Sequence, residues 1–305
     1  MKCNICPRAC KVDRGDNKGF CGMTNDIYAA RAALHMWEEP CISGEHGSGA
    51  VFFSGCTLRC IFCQNSEIAA AQVGKKITVD RLCDIFLELQ DKCANNINLV
   101  TATHFVPQVA EALIKAKNKG LVIPVVYNSS AYENVSTVKM LDGLVDVYLP
   151  DMKYIDSRLS AEYSKAPDYA DVAKAAIHEM VRQTRKPEFF IEDDELVKSG
   201  RVEAGIMKKG VIVRHLVLPG TTKDSKAVIK YLFDTYGDEI YISIMSQYTP
   251  FERLKKHPLL SRKVTRKEYN SVVDYAIDCG INNGFIQEGD VAEESFIPEF
   301  DYEGI

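Results

Sequence analysis

Short apolar runs alternate with segments whose apolar residues recur at helical spacing along most of the chain. The runs predict strands at 50–53, 97–100, 121–127, 144–149, 211–218 and 240–245. The helical spacing predicts helices at 80–93, 107–119, 134–141, 170–185, 223–236 and 265–279, the last with a capping box formed by Thr265 and Glu268. Six strand-then-helix units indicate an α/β protein with a parallel sheet, because parallel neighbours need a long crossover. An open doubly wound sheet and a partial barrel both fit this order.

Two stretches depart from the alternation. The charge-rich stretch 186–209 is longer than a usual crossover, and we interpret it as a surface insertion or hairpin. The first 24 residues are rich in cysteine, basic residues and glycine, show little apolar periodicity and cannot build a core of their own. The predicted division is therefore a cysteine-rich N-terminal extension at 1–48, the α/β unit at 49–290 and a C-terminal tail at 291–305.

The composition is that of an ordinary globular protein. The chain has 305 residues, of which 46% are hydrophobic and 26% charged, and this excludes a disordered or collagen-like chain. The formal net charge of -5 does not favour nucleic acid or an anionic membrane surface as a partner. No apolar run approaches the ~20 residues of a membrane span, and no apolar signal core follows the first residues. We therefore expect a cytoplasmic protein.

Cysteine is the unusual component. Of the eleven cysteines, seven fall in two close groups, four at 3–21 and three at 56–63. Such close spacing, in a chain without an export signal, favours metal ligation over a disulfide framework. The four scattered cysteines are interpreted as small apolar residues of the core, and they are Cys41, Cys83, Cys93 and Cys279.

Three cysteines share one short loop directly after the first predicted strand. Cys56, Cys60 and Cys63 have the spacing C-x3-C-x2-C. Three thiolates so placed can bind three irons of a cubane cluster and leave the fourth iron without a protein ligand. A structural zinc site normally needs four ligands, so the loop fits zinc poorly.

The loop 56–63, including Phe62 before the last cysteine, resembles the cluster motif of the radical S-adenosylmethionine (SAM) enzymes. The segments 151–153 and 213–221 are similar to the pyruvate formate-lyase activating enzyme branch. Further segments resemble a largely uncharacterised, activating-enzyme-like subgroup, and they are 3–21, 37–40, Asn65, 103–105 and 291–301. The resemblance implies a partial (β/α)6 barrel of the TIM type, which decides between the two architectures.

The resemblance also implies the chemistry. A [4Fe–4S] cluster on Cys56, Cys60 and Cys63 would chelate SAM at its open iron and cleave it reductively to methionine and a 5′-deoxyadenosyl radical that abstracts hydrogen. The cofactors carry this chemistry, so no catalytic residue beyond them is expected. The expected partners are an external one-electron reductant, flavodoxin- or ferredoxin-like, and an unknown substrate, for which one hypothesis is a glycyl-radical protein.

Residues at the carboxyl ends of barrel strands are the expected SAM contacts. They are Phe62, Thr101, Thr103, Asn128, Ser129, Asp151, Lys153 and Arg214. Thr101 and Thr103 stand where relatives often carry a Gly-Gly-Glu stretch that holds the amino group of SAM. Asn128 replaces an acidic residue that helps to bind a monovalent cation, so a cofactor contact survives the change better than a cation site does. Lys153 suits the SAM carboxylate, and Asp151 suits a cation or the ribose.

Four further positions leave alternatives open. Arg214 lies inside an apolar run and needs an anionic partner, for which SAM is the candidate. His104 either contacts a ligand or begins the following helix. Gln247 and Tyr248 are polar residues at the end of the sixth strand, where relatives carry a histidine near the adenosine.

A second group of cysteines occupies the N-terminal extension. Cys3, Cys6, Cys10 and Cys21 lie within nineteen residues. They can close a zinc or iron site, bind a second cluster or form a labile disulfide, and the spacing does not decide among these. A metal here would supply the order that the segment lacks.

Two other classes of function fit the same cysteines. One is an iron–sulfur electron carrier without catalysis, and production of 5′-deoxyadenosine distinguishes the enzyme from it. The other is a zinc-ribbon binding module with an inert barrel, which zinc without iron after anaerobic purification would favour.

Overall fold

A computed structural model describes residues 2–287 and 298–305 of the chain. Positions 291–297 of the predicted tail, and of the similar segment 291–301, lie outside the described residues, as do 288–290 of the predicted α/β unit and Met1. The strands of the described chain are β1 (Ile27–His35), β2 (Ser48–Phe53), β3 (Lys75–Ile77), β4 (Ile97–Val100), β5 (Val125–Ser129), β6 (Val147–Pro150), β7 (Glu188–Phe189), β8 (Met207–Leu216), β9 (Tyr241–Met245) and β10 (Gly284–Ile286). The helices are α1 (Pro40–Ser43), α2 (Ser66–Ala69), α3 (Val79–Asp91), α4 (Val106–Asn118), α5 (Val135–Val138), α6 (Ser157–Ser164), α7 (Tyr169–Thr184), α8 (Glu195–Lys198), α9 (Thr222–Tyr236) and α10 (Arg266–Asp278).

The strands form one ten-stranded sheet in the order β10-β9-β8-β6-β5-β4-β2-β1-β3, with β7 paired to β8 off this path. From β2 to β10 the neighbours along this order are parallel, whereas β1 runs antiparallel to β2 and β3. The parallel strands follow one another across the sheet in their order along the chain. Right-handed crossovers therefore put all their helices on one face, as in a barrel. In a doubly wound sheet the strand order would reverse part-way across. β10 and β3 are the two ends of the order, so the sheet is not closed. The predicted partial barrel is confirmed.

Amphipathic helices cover the outer face of this sheet. In α3 the residues at helical spacing, Leu82, Ile85, Phe86 and Leu89, are buried as predicted. The capping box of α10 is present, with the Thr265 side chain accepting from the backbone N–H of Glu268. No helix among the described residues is both long and apolar enough to cross a lipid bilayer.

The stretch 186–209 contains the predicted hairpin. β7 pairs antiparallel with the first residues of β8, with Glu188 opposite Lys209, and α8 lies in the connection. Three strands were not predicted, namely β1, β3 and β10. β1 is rich in alanine, and β3 and β10 have three residues each, so neither composition nor length gives the usual strand pattern. β1 lies within the predicted N-terminal extension and belongs to the same sheet as the barrel strands.

The end of the chain lies along β1. The Tyr302 N–H donates to Ala30 O at 3.1 Å, and the Ala32 N–H donates to Glu303 O at 2.8 Å. Gly304 has φ +76°, and a Cβ there would stand 2.1 Å from Ala32 O, so this close approach requires glycine. The tail therefore occupies backbone groups of β1 that would otherwise form an open edge.

Candidate functional site

The cysteine loop begins where β2 ends, at the carboxyl edge of the parallel strands. Gly55 has φ +86°, and a Cβ there would stand 2.7 Å from Cys21 O and 2.6 Å from Met23 Cγ. The chain can therefore turn into the loop only with glycine at this position. Cys56, Cys60 and Cys63 follow as unpaired, half-buried thiols.

Burial disfavours the charged form of these thiols. It raises the pKa of Cys60 to about 11 and that of Cys63 to about 12. The neighbouring Cys56 acts in the same direction on both, whereas Lys153 opposes the shift. Hydrogen bonds to sulfur are already in place, from Ser164 Oγ to Cys60 Sγ at 3.0 Å and from the Leu58 N–H to Cys56 Sγ at 3.3 Å. Positive charge bound at the loop would favour the thiolates.

The three cysteines line a cavity of about 1260 Å³, which is open to solvent. Seven of the eight expected SAM contacts line the same cavity, and they are Phe62, Thr101, Asn128, Ser129, Asp151, Lys153 and Arg214. Gln247, one of the positions left open, lines it as well. Because these residues come from the carboxyl ends of neighbouring parallel strands, the barrel brings them to one edge.

Three predicted residues lie behind the wall of this cavity. The Thr103 hydroxyl donates to Glu133 Oε1 at 3.2 Å, and the Tyr248 hydroxyl donates to Leu260 O. His104 Nε2 lies 2.7 Å from Ser54 O, so this nitrogen carries the proton. Burial, together with the charge of Arg14, lowers the pKa of His104 to about 3, although the bond to Ser54 opposes the shift. These contacts therefore fit a structural role for His104 better than contact with a ligand.

A charged network forms the floor of the cavity around Arg214. Its Nε donates to Asp151 Oδ1 at 3.0 Å, and its two terminal nitrogens donate to Glu38 Oε2 at 3.0 Å and Asn128 Oδ1 at 2.6 Å. Although burial disfavours the charge, these two carboxylates raise the pKa of Arg214 above its ordinary value. The anionic partners of Arg214 are thus protein carboxylates, where the sequence suggested SAM.

Glu38 is a cavity residue that the sequence reasoning missed. It accepts hydrogen bonds from Arg214 and also, through Oε1, from Asn98 Nδ2 at 3.0 Å and Asn128 Nδ2 at 3.2 Å. In the sequence, Glu38 was part of the segment 37–40, which resembles the activating-enzyme-like subgroup, but no role was predicted for it. No local pattern says that a glutamate before β2 will meet an arginine in β8.

Lys153 and Asp151 form a second pair in the same network. Lys153 Nζ lies 2.6 Å from Asp151 Oδ2. Burial opposes both charges, yet each partner stabilises the other, so the pKa of Asp151 is lowered and that of Lys153 is raised. The cavity therefore presents a permanent ammonium group close to the Cys60 thiol.

Thr101 has an unusual backbone conformation at the end of β4. Its φ is +62°, in the left-handed region that a β-branched residue rarely adopts. Its N–H donates to Asn128 O at 2.9 Å, which ties the strained residue to the next strand. Strained backbone of this kind persists only where the surroundings hold it, and it is found most often at functional sites.

Within 2–287 and 298–305, no group of three or more His, Cys, Asp or Glu side chains is arranged to hold a single metal ion. A cubane would bind each thiolate of the loop to a different iron and needs no common ligand point.

Comparison with known proteins places this geometry in a structural context. No family model matches the chain. The uncharacterized protein MJ0674 of Methanocaldococcus jannaschii is 27% identical over 281 residues, which cover 90% of this chain and 74% of that protein. Streptococcus suis SuiB bound to SAM has a TM-score of 0.51 at 14% identity, and the match covers 77% of this chain. The chain has the fold of the radical SAM enzymes.

A second SuiB structure agrees with the first. SuiB bound to its precursor peptide SuiA has a TM-score of 0.50 at 14% identity and again matches 77% of this chain. The chain spans about half the length of SuiB, 49% in the SAM complex and 47% in the peptide complex. The radical SAM resemblance predicted from the cysteine loop is thus confirmed for the fold, and its extension to the activating-enzyme-like subgroup stays a prediction.

Proposed function

We propose that this chain is a radical SAM enzyme in which Cys56, Cys60 and Cys63 hold a [4Fe–4S] cluster and the adjoining cavity holds SAM. The observation that carries the proposal is that the three thiols share one cavity with the paired charges of Lys153 and Asp151. When bound, the cluster and SAM supply a 5′-deoxyadenosyl radical that abstracts hydrogen from a substrate.

The side chains of the cavity suit the polar parts of SAM. The Lys153 ammonium is available to the SAM carboxylate, and Asn128 and Ser129 offer polar groups beside it. Arg214 acts as a positioning residue, because its guanidinium holds Glu38 and Asp151 in place. The charges are thus arranged before the cofactor arrives, which lowers the cost of binding.

Aromatic rings shield the back of the loop from water. Phe62 packs edge-on against Tyr154 and Tyr163, with ring centroids 6.4 Å apart in both pairs, and against Tyr248 at 6.5 Å. This explains the place of Tyr248 behind the cavity wall. Exclusion of water from this side protects a reactive species formed in the cavity.

We further propose a polypeptide substrate and an external one-electron reductant. Trp37 lines the cavity and is 62% exposed, so it offers an aromatic contact to a partner at the cavity mouth. The complex of SuiB with a precursor peptide supports this class of substrate for the fold. The activating-enzyme resemblance favours a glycyl-radical protein, for which the expected signal is a glycyl radical in EPR spectra of the mixture.

The test of the enzyme proposal is SAM cleavage. The anaerobically reconstituted and chemically reduced chain is expected to convert SAM to 5′-deoxyadenosine, measured by chromatography. Cys60→Ala removes one thiolate of the loop and is expected to abolish this product.

The matched control is Cys93→Ala. The interpretation of Cys93 as a core residue was wrong, because it is exposed just after α3, and it does not line the cavity. The control is expected to cleave SAM at the wild-type rate. Retained cleavage in Cys60→Ala would refute the role of the loop, and wild-type protein that carries iron but never cleaves SAM would favour the electron carrier.

A further inference from the structure

Four cysteines of the N-terminal segment are brought together by tight turns. The Cys3 N–H donates to Val12 O at 2.8 Å, and the Lys11 N–H donates back to Cys3 O at 3.0 Å, which sets Cys3 beside Cys10. A Cβ on Gly19 would stand 3.3 Å from Cys10 Sγ and 3.5 Å from Cys21 Sγ, so these two sulfurs face the same point. The segment folds around its cysteines.

Two thiols of this group are buried and two are half-buried. Cys6 and Cys21 are each 6% exposed, Cys3 and Cys10 are partly exposed, and all four cysteines are free of disulfides. Four free thiols gathered by tight turns, inside a segment without a core of its own, are typical of a metal centre.

Backbone strain marks the same turns. Ala9 has φ +39° and Lys11 has φ +56°, both outside the region that residues with a side chain prefer. Strain of this kind persists only where the surroundings over-determine the conformation. The Ala9 N–H donates to Cys6 O at 3.0 Å and the Lys11 N–H to Cys3 O at 3.0 Å, so both strained residues are held against cysteines of this group.

The arrangement favours a cluster over a single ion. A lone zinc or iron would need sulfurs within ~2.3 Å of one centre, and among the described residues no three or more His, Cys, Asp or Glu side chains are arranged around one such point. A cubane needs four thiolates on four separate irons. We propose that Cys3, Cys6, Cys10 and Cys21 bind a second [4Fe–4S] cluster, closed by four protein ligands. The proposal does not rest on SAM cleavage, because the two sets of ligands share no residue.

The second centre would be joined directly to the first loop. The Cys56 N–H donates to Cys21 O at 3.3 Å, so a ligand of each centre takes part in one backbone hydrogen bond. Arg8, in the turn between Cys6 and Cys10, donates from Nε to Thr57 O at 2.8 Å and from a terminal nitrogen to Leu58 O at 3.3 Å. Ordering of the N-terminal segment by its cluster therefore steadies the loop that carries Cys56.

The test counts metal on the full chain after anaerobic reconstitution with iron and sulfide. The wild type is expected to hold about eight irons and about eight acid-labile sulfides per chain. The triple variant Cys56→Ala, Cys60→Ala, Cys63→Ala is expected to retain about four of each, with the Mössbauer spectrum of a [4Fe–4S] cluster. The double variant Cys3→Ser, Cys21→Ser is expected to lose about four and to keep the cluster of the loop.

The outcomes separate this proposal from the enzyme proposal. A triple variant that holds no iron, or zinc in place of iron, would overturn the second cluster. If the wild type holds only about four irons and the double variant Cys3→Ser, Cys21→Ser loses all of them, the second cluster is supported and the cluster on the loop is refuted. Cys93→Ser is the control for loss of a thiol and is expected to hold as much iron as the wild type.

Discussion

Arg214 shows at the scale of one residue how the cavity is built. Its guanidinium meets three different partners, with Nε on Asp151 and the terminal nitrogens on Glu38 and Asn128. A planar fork can serve three acceptors at once, whereas a lysine ammonium is a point charge on a flexible stem. The shape of this side chain matters here as much as its charge.

Arg214→Lys tests that statement. The variant keeps the positive charge but cannot reach all three partners, so Asp151 and Glu38 become mobile. We expect the Kd for SAM to rise about tenfold or more in the reconstituted protein, a loss of ~1.4 kcal/mol or more, measured by isothermal titration calorimetry. Arg158→Lys is the control, because the Arg158 side chain is 89% exposed. An unchanged Kd in Arg214→Lys would contradict a positioning role.

At the scale of an element, the loop after β2 is held by arginines from distant parts of the chain. Arg8 donates to carbonyls on this loop and also to Ser164 O at the end of α6, at 2.9 Å. Arg253 donates to Ile61 O at 3.1 Å and to Cys63 O at 2.6 Å. The loop has no helix or strand of its own between β2 and α2, so these bonds define its shape.

Arg8→Lys should loosen the loop without removing a thiol. The lysine cannot make the same set of carbonyl bonds, and hydrogen bonds from a charged donor contribute ~1.5–3 kcal/mol each. We expect a fall of about tenfold in the rate of SAM cleavage, of the size seen when residues that orient metal ligands are changed. A changed EPR line shape of the reduced cluster is expected to accompany it. A wild-type spectrum together with a wild-type rate would show that the Arg8 contacts serve only packing.

At the scale of the whole molecule, the open barrel depends on segments from both ends of the chain. The tail lies along β1, and the N-terminal segment packs against the start of α4 through Arg14, which donates to His104 O at 2.7 Å. His104 itself is buried where this segment meets β2 and β4. Its neutral ring therefore reports on the integrity of the assembled fold.

The histidines predict how stability depends on pH. Burial lowers the pKa of His104 to about 3 and that of His215 to about 4, whereas an unfolded histidine titrates near 6.5. The unfolded chain therefore binds more protons below pH ~6.5, and stability falls as pH decreases, by up to ~1.4 kcal/mol per pH unit for each histidine.

Urea unfolding between about pH 7 and about pH 5 measures this slope. His104→Gln should flatten the slope, by up to ~1.4 kcal/mol per pH unit. His178→Gln, at an exposed position of α7, should leave it as in the wild type. Equal slopes in His104→Gln and the wild type would show that His104 does not contribute. The buried carboxyl of Glu133, whose pKa burial raises, acts in the opposite direction and cancels in the comparison.

Local patterns predicted the regular elements well and the irregular ones poorly. α3 and α10 matched their expected limits within two residues, because amphipathic spacing and caps are properties of neighbouring residues. The strand expected at 121–127 is Val125–Ser129, since the turn before it ends only at Pro124. β1 went unnoticed, because its stability comes from pairing with β2 and with the tail rather than from its own residues.

The sequence by itself determined that three thiols share one loop, because Cys56, Cys60 and Cys63 lie within eight residues. Only the tertiary structure decided the polar floor of the cavity. Glu38 and Arg214 are 176 positions apart, and they meet because the barrel places the ends of its strands at one edge. Spacing along the chain carries information about contacts between near neighbours, whereas contacts between distant strands depend on the fold of the whole barrel.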